Sequence, residues 1–152
     1  MEKEITATDY QPPPLELLDE YIPESKVTMH SVLSDDAFRN SGAELPVAPG
    51  RTSRDKAVVF DLAKAPDLLI AGATKQGKTA AIHAIVASLL YSRRPSELKL
   101  VLIDPKGCEF SAYKRLSGSY IASMSGEEPV VRTAAHADKT LAALRLEMEH
   151  RY

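Results

Sequence analysis

The stretch "DLLIAGATKQGKTAAIHAIVASLL", residues 67–90, joins two apolar patterns through a loop that contains Gly-Lys-Thr. The run Leu68–Ala71 has the length and composition of a buried strand. After the loop, apolar residues cover most of the circumference of a helix predicted from Lys78 to Tyr91, as is typical of a helix that is covered on several sides. The stretch therefore predicts a strand, a loop and a helix in direct succession.

The loop itself, "GATKQGKT", fits the pattern G-x-x-x-x-G-K-[ST] at every required position. Its two glycines would allow backbone angles and a close approach that side chains block, and a helix N-terminus attracts an anion. Lys78 would neutralise the β- and γ-phosphates, and the Thr79 hydroxyl would bind Mg²⁺. We predict a site for ATP and Mg²⁺, with Thr79 as the metal ligand, formed by Gly72, Ala73, Thr74, Lys75, Gln76, Gly77, Lys78 and Thr79. A strand-to-helix turn without a ligand is the alternative, and Lys75 could either contact phosphate or project into water.

The residues that follow predict an α/β fold. "LKLVLID", residues 98–104, is a continuous apolar run typical of a strand buried on both faces. Strand, helix and strand in alternation predict a right-handed βαβ unit in a parallel sheet. Further on we predict a short helix over 108–116, short strands over 120–122 and 130–132, and a final helix over about 134–152. That helix would place on one face Ala137, Leu141, Leu144 and Met148.

The N-terminal region has a different character. Residues 1–30 contain "PPP" and one short apolar patch, so we predict a linker or tail over 1–30 and the domain over 31–152. "SDDAFRN", residues 34–40, predicts a short helix capped by Ser34. Strands are predicted over 45–48 and 57–61, joined by a polar hairpin loop.

The composition limits the function classes. Apolar residues make up 44% and charged residues 26%, as in ordinary globular domains. The net charge of −2 provides no general attraction to nucleic acid or anionic lipid. A single cysteine excludes an internal disulfide framework, and no run of about 18 apolar residues is present to span a membrane. We therefore expect a soluble chain in the cytoplasm.

Asp104 is the second candidate for chemistry, since it stands at the carboxyl end of a predicted strand, where ligands of parallel sheets gather. Pro105 follows it, however, with no acidic neighbour to act as a base. The other reading is that Asp104 caps a turn and Glu109 caps the next short helix. The remaining candidates are weaker: the histidines at 30, 83, 136 and 150 lack metal-ligand spacing, Cys108 lacks a paired base, and the pair at 114–115 is typical of a solvated face.

Several segments resemble the FtsK/SpoIIIE family of DNA translocases: "KVTMHSVLSDDAFRNSGAELPVAPG", "VVFDLAKAPDLLIAGATKQGKT", "SLLYSRRPSELKLVLIDPKGCEFSAY" and "LEMEHRY". This resemblance implies a RecA-like ATPase that forms a hexameric ring and pumps double-stranded DNA, commonly at the division septum. As a site it carries over only the phosphate loop, residues 72–79. The family's second carboxylate motif lies on a later strand, so the resemblance favours a structural role for Asp104.

The sequence also departs from the family pattern. The family has a small domain between its "PPLELL" and "VTMHSVL" segments, which here are separated by Asp19–Lys26 alone. The chain ends at Tyr152, before the family's metal-orienting carboxylates, trans-acting arginine and winged helix. We therefore expect the ATP-binding portion of a chromosome-segregation motor, with little or no hydrolysis by this chain alone and with double-stranded DNA as a partner of the complete motor only. The alternatives are a nucleotide-binding regulatory or assembly module and, ranked last, a small phosphotransferase that uses Asp104.

Overall fold

A computed structural model describes residues 27–65, 67–73 and 75–151. The chain divides into two compact units, Met1–Arg94 and Pro95–Tyr152. The fold is mixed α/β, with two 3₁₀ helices, Leu62–Lys64 and Ser111–Leu116, and the following α-helices and strands: α1 (Met29–Leu33), α2 (Asp36–Arg39), β1 (Pro46–Arg51), β2 (Ala57–Asp61), α3 (Lys78–Ser92), β3 (Leu102–Ile103), β4 (Val130–Val131) and α4 (Ala134–Arg151). Residues 1–26 lie outside the described residues, so the predicted division at residue 30 stays a prediction. Among the described helices, none is both long and apolar enough to cross a bilayer.

The first unit begins with two short helices that have separate caps. The Thr28 hydroxyl caps α1 by accepting the N–H of Ser31 at 3.1 Å. The Asp35 carboxylate caps α2 by accepting the N–H of Ala37 at 3.0 Å. The predicted cap at Ser34 is therefore wrong: because α1 occupies the preceding residues, Ser34 is the C-cap residue of that helix.

The predicted hairpin is confirmed. β1 and β2 pair antiparallel, and the register shifts between Val47 and Gly50, which forms a bulge. Pro49 lies in this bulge, where its lack of an N–H donor costs no ladder hydrogen bond. Asp61 is the last residue of β2, and its carboxylate accepts the backbone N–H groups of Leu45 at 2.9 Å and Glu44 at 3.1 Å. It therefore holds the two residues that precede β1 next to the end of β2. These hydrogen bonds, led by that of Leu45, lower the pKa of Asp61.

The helix predicted after the Gly-Lys-Thr loop is also confirmed as α3, which packs against β1. At its end the Arg93 guanidinium donates to the backbone carbonyl groups of Glu44 at 2.7 Å and Ala43 at 3.1 Å. The core beneath α1, α2 and β1 consists of buried apolar side chains from each element: Val32, Leu33, Phe38 and Ala48, with Met29, Val59 and Tyr91 packed against them.

The strand predicted at 68–71 is not observed. No strand is assigned over residues 67–73, and Leu69 is 90% exposed. A strand of a parallel sheet takes its conformation from hydrogen-bonded neighbours, and no neighbour is assigned beside this segment in the described part of the chain. The predicted βαβ unit around α3 is therefore wrong for this structure, although the apolar composition of the segment is that of a buried strand.

The second unit contains the parallel pairing. β3 and β4 pair in parallel register, Leu102 with Val130 and Ile103 with Val131. The predicted strand over 98–104 is thus shorter than expected, and the strand predicted over 120–122 is reduced to a bridge at Ile121. Both predicted strands are short because each is hydrogen-bonded to a neighbouring strand along only a few residues. The short helix predicted over 108–116 is present as the 3₁₀ helix Ser111–Leu116.

The final helix is confirmed as α4, from Ala134 to Arg151. In its first half Thr140 is buried, and its hydroxyl donates to the carbonyl of His136, one turn earlier in the same helix, at 2.8 Å. Leu141 and Met148, which were predicted to share a face, are 54% and 58% exposed. The apolar face of α4 is therefore only partly covered.

Candidate nucleotide-binding site

Gly77 forms the junction between the predicted phosphate loop and α3. Its backbone is left-handed, with φ of 83° and ψ of 6°, and it occupies the N-cap position of the helix. No side chain caps this N-terminus, and the first hydrogen bond of the helix runs from the N–H of Ala81 to the carbonyl of Gly77 at 2.9 Å. Glycine adopts this conformation without a steric cost, which explains the residue type at this position.

The loop is open to solvent. Residues 71–73 and 75–78 are exposed, and Thr79 is half-buried; Thr74 lies outside the described residues. The N–H of Gln76 donates to the carbonyl of Ala73 at 3.2 Å and closes a turn. Lys75, within this turn, has a left-handed backbone with φ of 66°, although it is not glycine. Both lysines of the loop are thus accessible to an anion.

Gly72 does not show the special backbone angle predicted for it. Its φ is outside the left-handed range, unlike that of Gly77. A Cβ atom at this position would stand 3.8 Å from the Gln76 Cβ and 3.9 Å from the Lys78 Cβ, which are ordinary contacts. Among the described residues, nothing therefore requires glycine at position 72 on steric grounds, and the need for close approach to a ligand stays a prediction.

The described residues fit a nucleotide phosphate and Mg²⁺. α3 runs for 15 residues, and the N–H groups of its first turn have no acceptor within the helix. They carry the partial positive charge of the helix N-terminus, and they lie beside an exposed ammonium group, that of Lys78. The hydroxyl of Thr79 is an oxygen ligand of the kind that Mg²⁺ takes. The predicted site residues are thus adjacent in one loop-to-helix segment.

The carboxylate of Asp104 binds backbone N–H groups of the loop that follows it. One carboxylate oxygen accepts the N–H of Gly107 at 2.8 Å, and the other accepts the N–H groups of Glu109 at 2.9 Å and Phe110 at 3.1 Å. The side chain is buried. Burial raises the pKa of Asp104, but the backbone donors, led by Phe110, outweigh it and hold the pKa below its usual value.

The prediction that Asp104 caps a turn is confirmed by these contacts. The companion prediction, that Glu109 caps the next helix, is wrong, since the 3₁₀ helix starts after Phe110 and has no side-chain cap. Asp104 itself takes the N–H groups that such a cap would have bound. The Lys114 ammonium pairs with Glu128 at 2.8 Å on the surface, as expected of a solvated face.

Sequence reasoning missed Ser88, which is fully buried on α3 and accepts the N–H of Ala48 in the β1 bulge at 3.0 Å. A lone serine within an apolar helix was the available signal. Since its partner is 40 residues away in the chain, no local pattern could have paired them.

The mixed α/β fold and the phosphate-loop pattern at the start of a long helix define the class as a P-loop NTPase family. The sequence profile of the FtsK/SpoIIIE family matches residues 28–152, and the chain belongs to this family.

Curated relatives carry the same assignment. The chain is 45% identical over 138 residues to the DNA translocase FtsK of Chlorobaculum tepidum, covering 86% of this chain and 17% of the relative. It is 38% identical to the DNA translocase FtsK of Haemophilus influenzae, covering 83% of this chain and 22% of the relative. It is 40% identical to the DNA translocase SftA of Bacillus subtilis, covering 83% of this chain and 12% of the relative. The chain thus spans less than a quarter of the length of each of these relatives.

Proposed function

We propose that this chain is the ATP-binding portion of a motor that translocates double-stranded DNA in chromosome segregation and cell division. The observation that carries the proposal is the exposed loop that enters α3 through a left-handed Gly77, in a chain of the FtsK/SpoIIIE family. The names of the relatives, DNA translocases, support the DNA-directed activity. A RecA-like motor domain is part of the same proposal, and the mixed α/β fold of the chain supports it.

Within the loop, each residue has a task that follows from its chemistry. The backbone N–H groups at the start of α3 bind phosphate oxygens, and Lys78 neutralises the charge of the outer phosphates. Thr79 holds the Mg²⁺ ion through its hydroxyl. A bound Mg·ATP supplies the phosphoanhydride bond whose hydrolysis drives movement along DNA.

Turnover requires groups beyond this loop, namely a carboxylate that orients the metal and a group that positions water. Asp104 is a poor candidate, because both of its oxygens already accept backbone N–H groups in its own loop. We therefore propose that the chain alone binds ATP but hydrolyses it slowly or not at all. DNA-stimulated ATP turnover by the purified chain would contradict this. The same contacts argue against the phosphotransferase that would use Asp104 as a metal ligand.

The complete motor is proposed to be a homo-oligomeric, hexameric ring that encloses double-stranded DNA, with this chain's portion in the cytoplasm and the longer parent anchored at the septum. The alternative is a nucleotide-binding regulatory or assembly module whose output is binding itself. The two proposals differ in one measurement: when this chain is joined to the remaining family motor segments, ATP turnover should appear and rise with added duplex DNA. A joined protein that binds ATP without turnover would favour the module.

The first experiment is a titration of the chain with a fluorescent Mg·ATP analogue. We expect saturable binding that Lys78→Ala weakens by about a hundredfold, since a charge-assisted contact to phosphate contributes about 1.5–3 kcal/mol. Lys56→Ala is the matched control, because it removes an exposed lysine from the hairpin loop of the same unit. Equal affinity in the wild type and Lys78→Ala, or no binding at all, would overturn the proposal.

A further inference from the structure

Ser88 is a polar side chain inside the most apolar helix of the chain. It is 0% exposed, and its hydroxyl both donates and accepts a hydrogen bond. It donates to the carbonyl of Ala84, one helical turn earlier, at 2.7 Å. It accepts the backbone N–H of Ala48, also 0% exposed, at 3.0 Å. The hydroxyl therefore joins α3 to β1 by a directional contact.

The N–H of Ala48 needs this acceptor because of the bulge in β1. Val47 pairs with Phe60 and Gly50 pairs with Val58, so that two residues, Ala48 and Pro49, face a single residue of β2. The extra residue of a bulge is left out of the strand ladder. A buried N–H without a partner is costly, and here Ser88 provides the partner. The bulge in β1 and Ser88 on α3 therefore depend on each other.

The apolar packing of α3 by itself sets its position weakly. Its buried apolar residues, Ala84, Val86 and Leu89, lie on different sides of the helix, and hydrophobic contacts have no direction. A slip of one residue would move the helix by about 1.5 Å and rotate it by about 100°. Hydrogen bonds of defined geometry distinguish such positions. Ser88 makes one in the middle of α3, and Arg93 makes two at its C-terminal end, to the carbonyl groups of Glu44 and Ala43.

We propose that Ser88 is a positioning residue for the phosphate loop. α3 is continuous from Lys78 through Ser88, so the contact with Ala48 sets where Gly77 and the first turn of the helix stand on the unit. The effect of this positioning on ATP affinity rests on the proposed ATP-binding function. The positioning itself is a property of the free chain and can be measured without a nucleotide.

The test compares the full chain with Ser88→Ala and with Ser88→Cys. Cysteine keeps the shape of the side chain with a slightly larger atom and remains a weak acceptor, so its effect on the hydrogen bond should be smaller and in the same direction. Phe38→Leu is the control, because it loosens the core of the same unit without removing a hydrogen bond. Thermal unfolding of each variant sets a temperature at which all of them are folded.

The first measurement is the set of backbone amide chemical shifts in the free chain. In Ser88→Ala the amides of Gly77, Lys78 and Thr79 should shift or broaden, and the amide of Ala48 should lose hydrogen-exchange protection. Phe38→Leu should leave the loop amides unchanged. Unchanged loop amides in both Ser88 variants would overturn the inference, whatever the protein does with ATP. If Ser88→Ala does not fold, the Ser88→Cys spectrum decides in the same way.

The second measurement is the affinity for the fluorescent Mg·ATP analogue. If the loss of the hydroxyl leaves about a tenth of the molecules with the loop correctly placed, the apparent Kd rises about tenfold in Ser88→Ala. Phe38→Leu should stay within about twofold of the wild type. An equal loss in both variants would mean that Ser88 acts through general stability, which refutes positioning. If the loop amides shift in Ser88→Ala but the wild type binds no ATP, the positioning role stands and the proposed function is refuted instead.

Discussion

The left-handed backbone of Gly77 leads to a quantitative prediction for Gly77→Ala. An L-residue in this region costs about 1–2 kcal/mol. Alanine also restricts the unfolded chain, which offsets about 0.4–1 kcal/mol of that cost. A Cβ atom at Gly77 would meet nothing within 4 Å, so no steric term is added. The net expectation is a loss of about 1 kcal/mol in the free energy of unfolding.

The assay is urea unfolding followed by far-ultraviolet circular dichroism. With a urea dependence of about 2 kcal/mol per molar, a loss of about 1 kcal/mol lowers the midpoint by about 0.5 M. The matched control is Gly42→Ala, where a Cβ also meets nothing within 4 Å but φ lies outside the left-handed range. That variant should be unchanged or stabilised, by up to about 1 kcal/mol.

Two results would refute the reasoning. If Gly77→Ala and Gly42→Ala unfold at the same urea concentration, the loop does not require a left-handed residue at its junction with α3. If Gly77→Ala loses much more than about 2 kcal/mol, the glycine is packed against something. In the expected case the strained junction should also weaken Mg·ATP binding, since the loop and the first turn of α3 share this residue.

Three further predictions concern other parts of the chain. Backbone hydrogen bonds lower the pKa of Asp61, so its carboxylate stabilises the fold above the unfolded pKa near 3.8. This stabilisation is lost as the pH falls through the lower pKa of the folded state. In urea unfolding measured at a series of pH values, Asp61→Asn should therefore lose less stability than the wild type over that acid range. Gly107→Ala should lower the unfolding temperature more than Gly118→Ala. Both glycines have a left-handed φ, but only a Cβ atom at Gly107 would meet a side chain, that of Arg132, at 3.3 Å. Equal losses would mean that Arg132 moves away at no cost. Burial raises the pKa of Tyr113 to about 12, so its stabilising effect holds below pH 10 and is lost as the pH rises through about 12. Tyr113→Phe should therefore remove a step near pH 12 from an absorbance titration of the tyrosines.

Local sequence was sufficient for the elements whose signals are local. The helix α3, the β1–β2 hairpin and the final helix follow from apolar periodicity and turn residues, and the structure confirms all three. The phosphate-loop pattern likewise identified the segment in which Gly77 takes its left-handed conformation. The turn held by Asp104 was one of two readings of the sequence, because a carboxylate before a Gly-containing turn can accept nearby N–H groups or bind a metal.

Only the tertiary structure decided the features that depend on distant neighbours. The run Leu68–Ala71 has the composition of a strand, yet no strand is assigned there and Leu69 is 90% exposed. A strand is stabilised by hydrogen-bonded partners, which no local pattern supplies. The contact between Ser88 and Ala48 spans 40 residues and depends on a bulge, which shows in the pairing register and not in either segment alone. Sequence by itself therefore determined the loop-to-helix segment and predicted a phosphate site there. Packing between β1 and α3 decided how that helix is held, since directional contacts form only after the chain has folded.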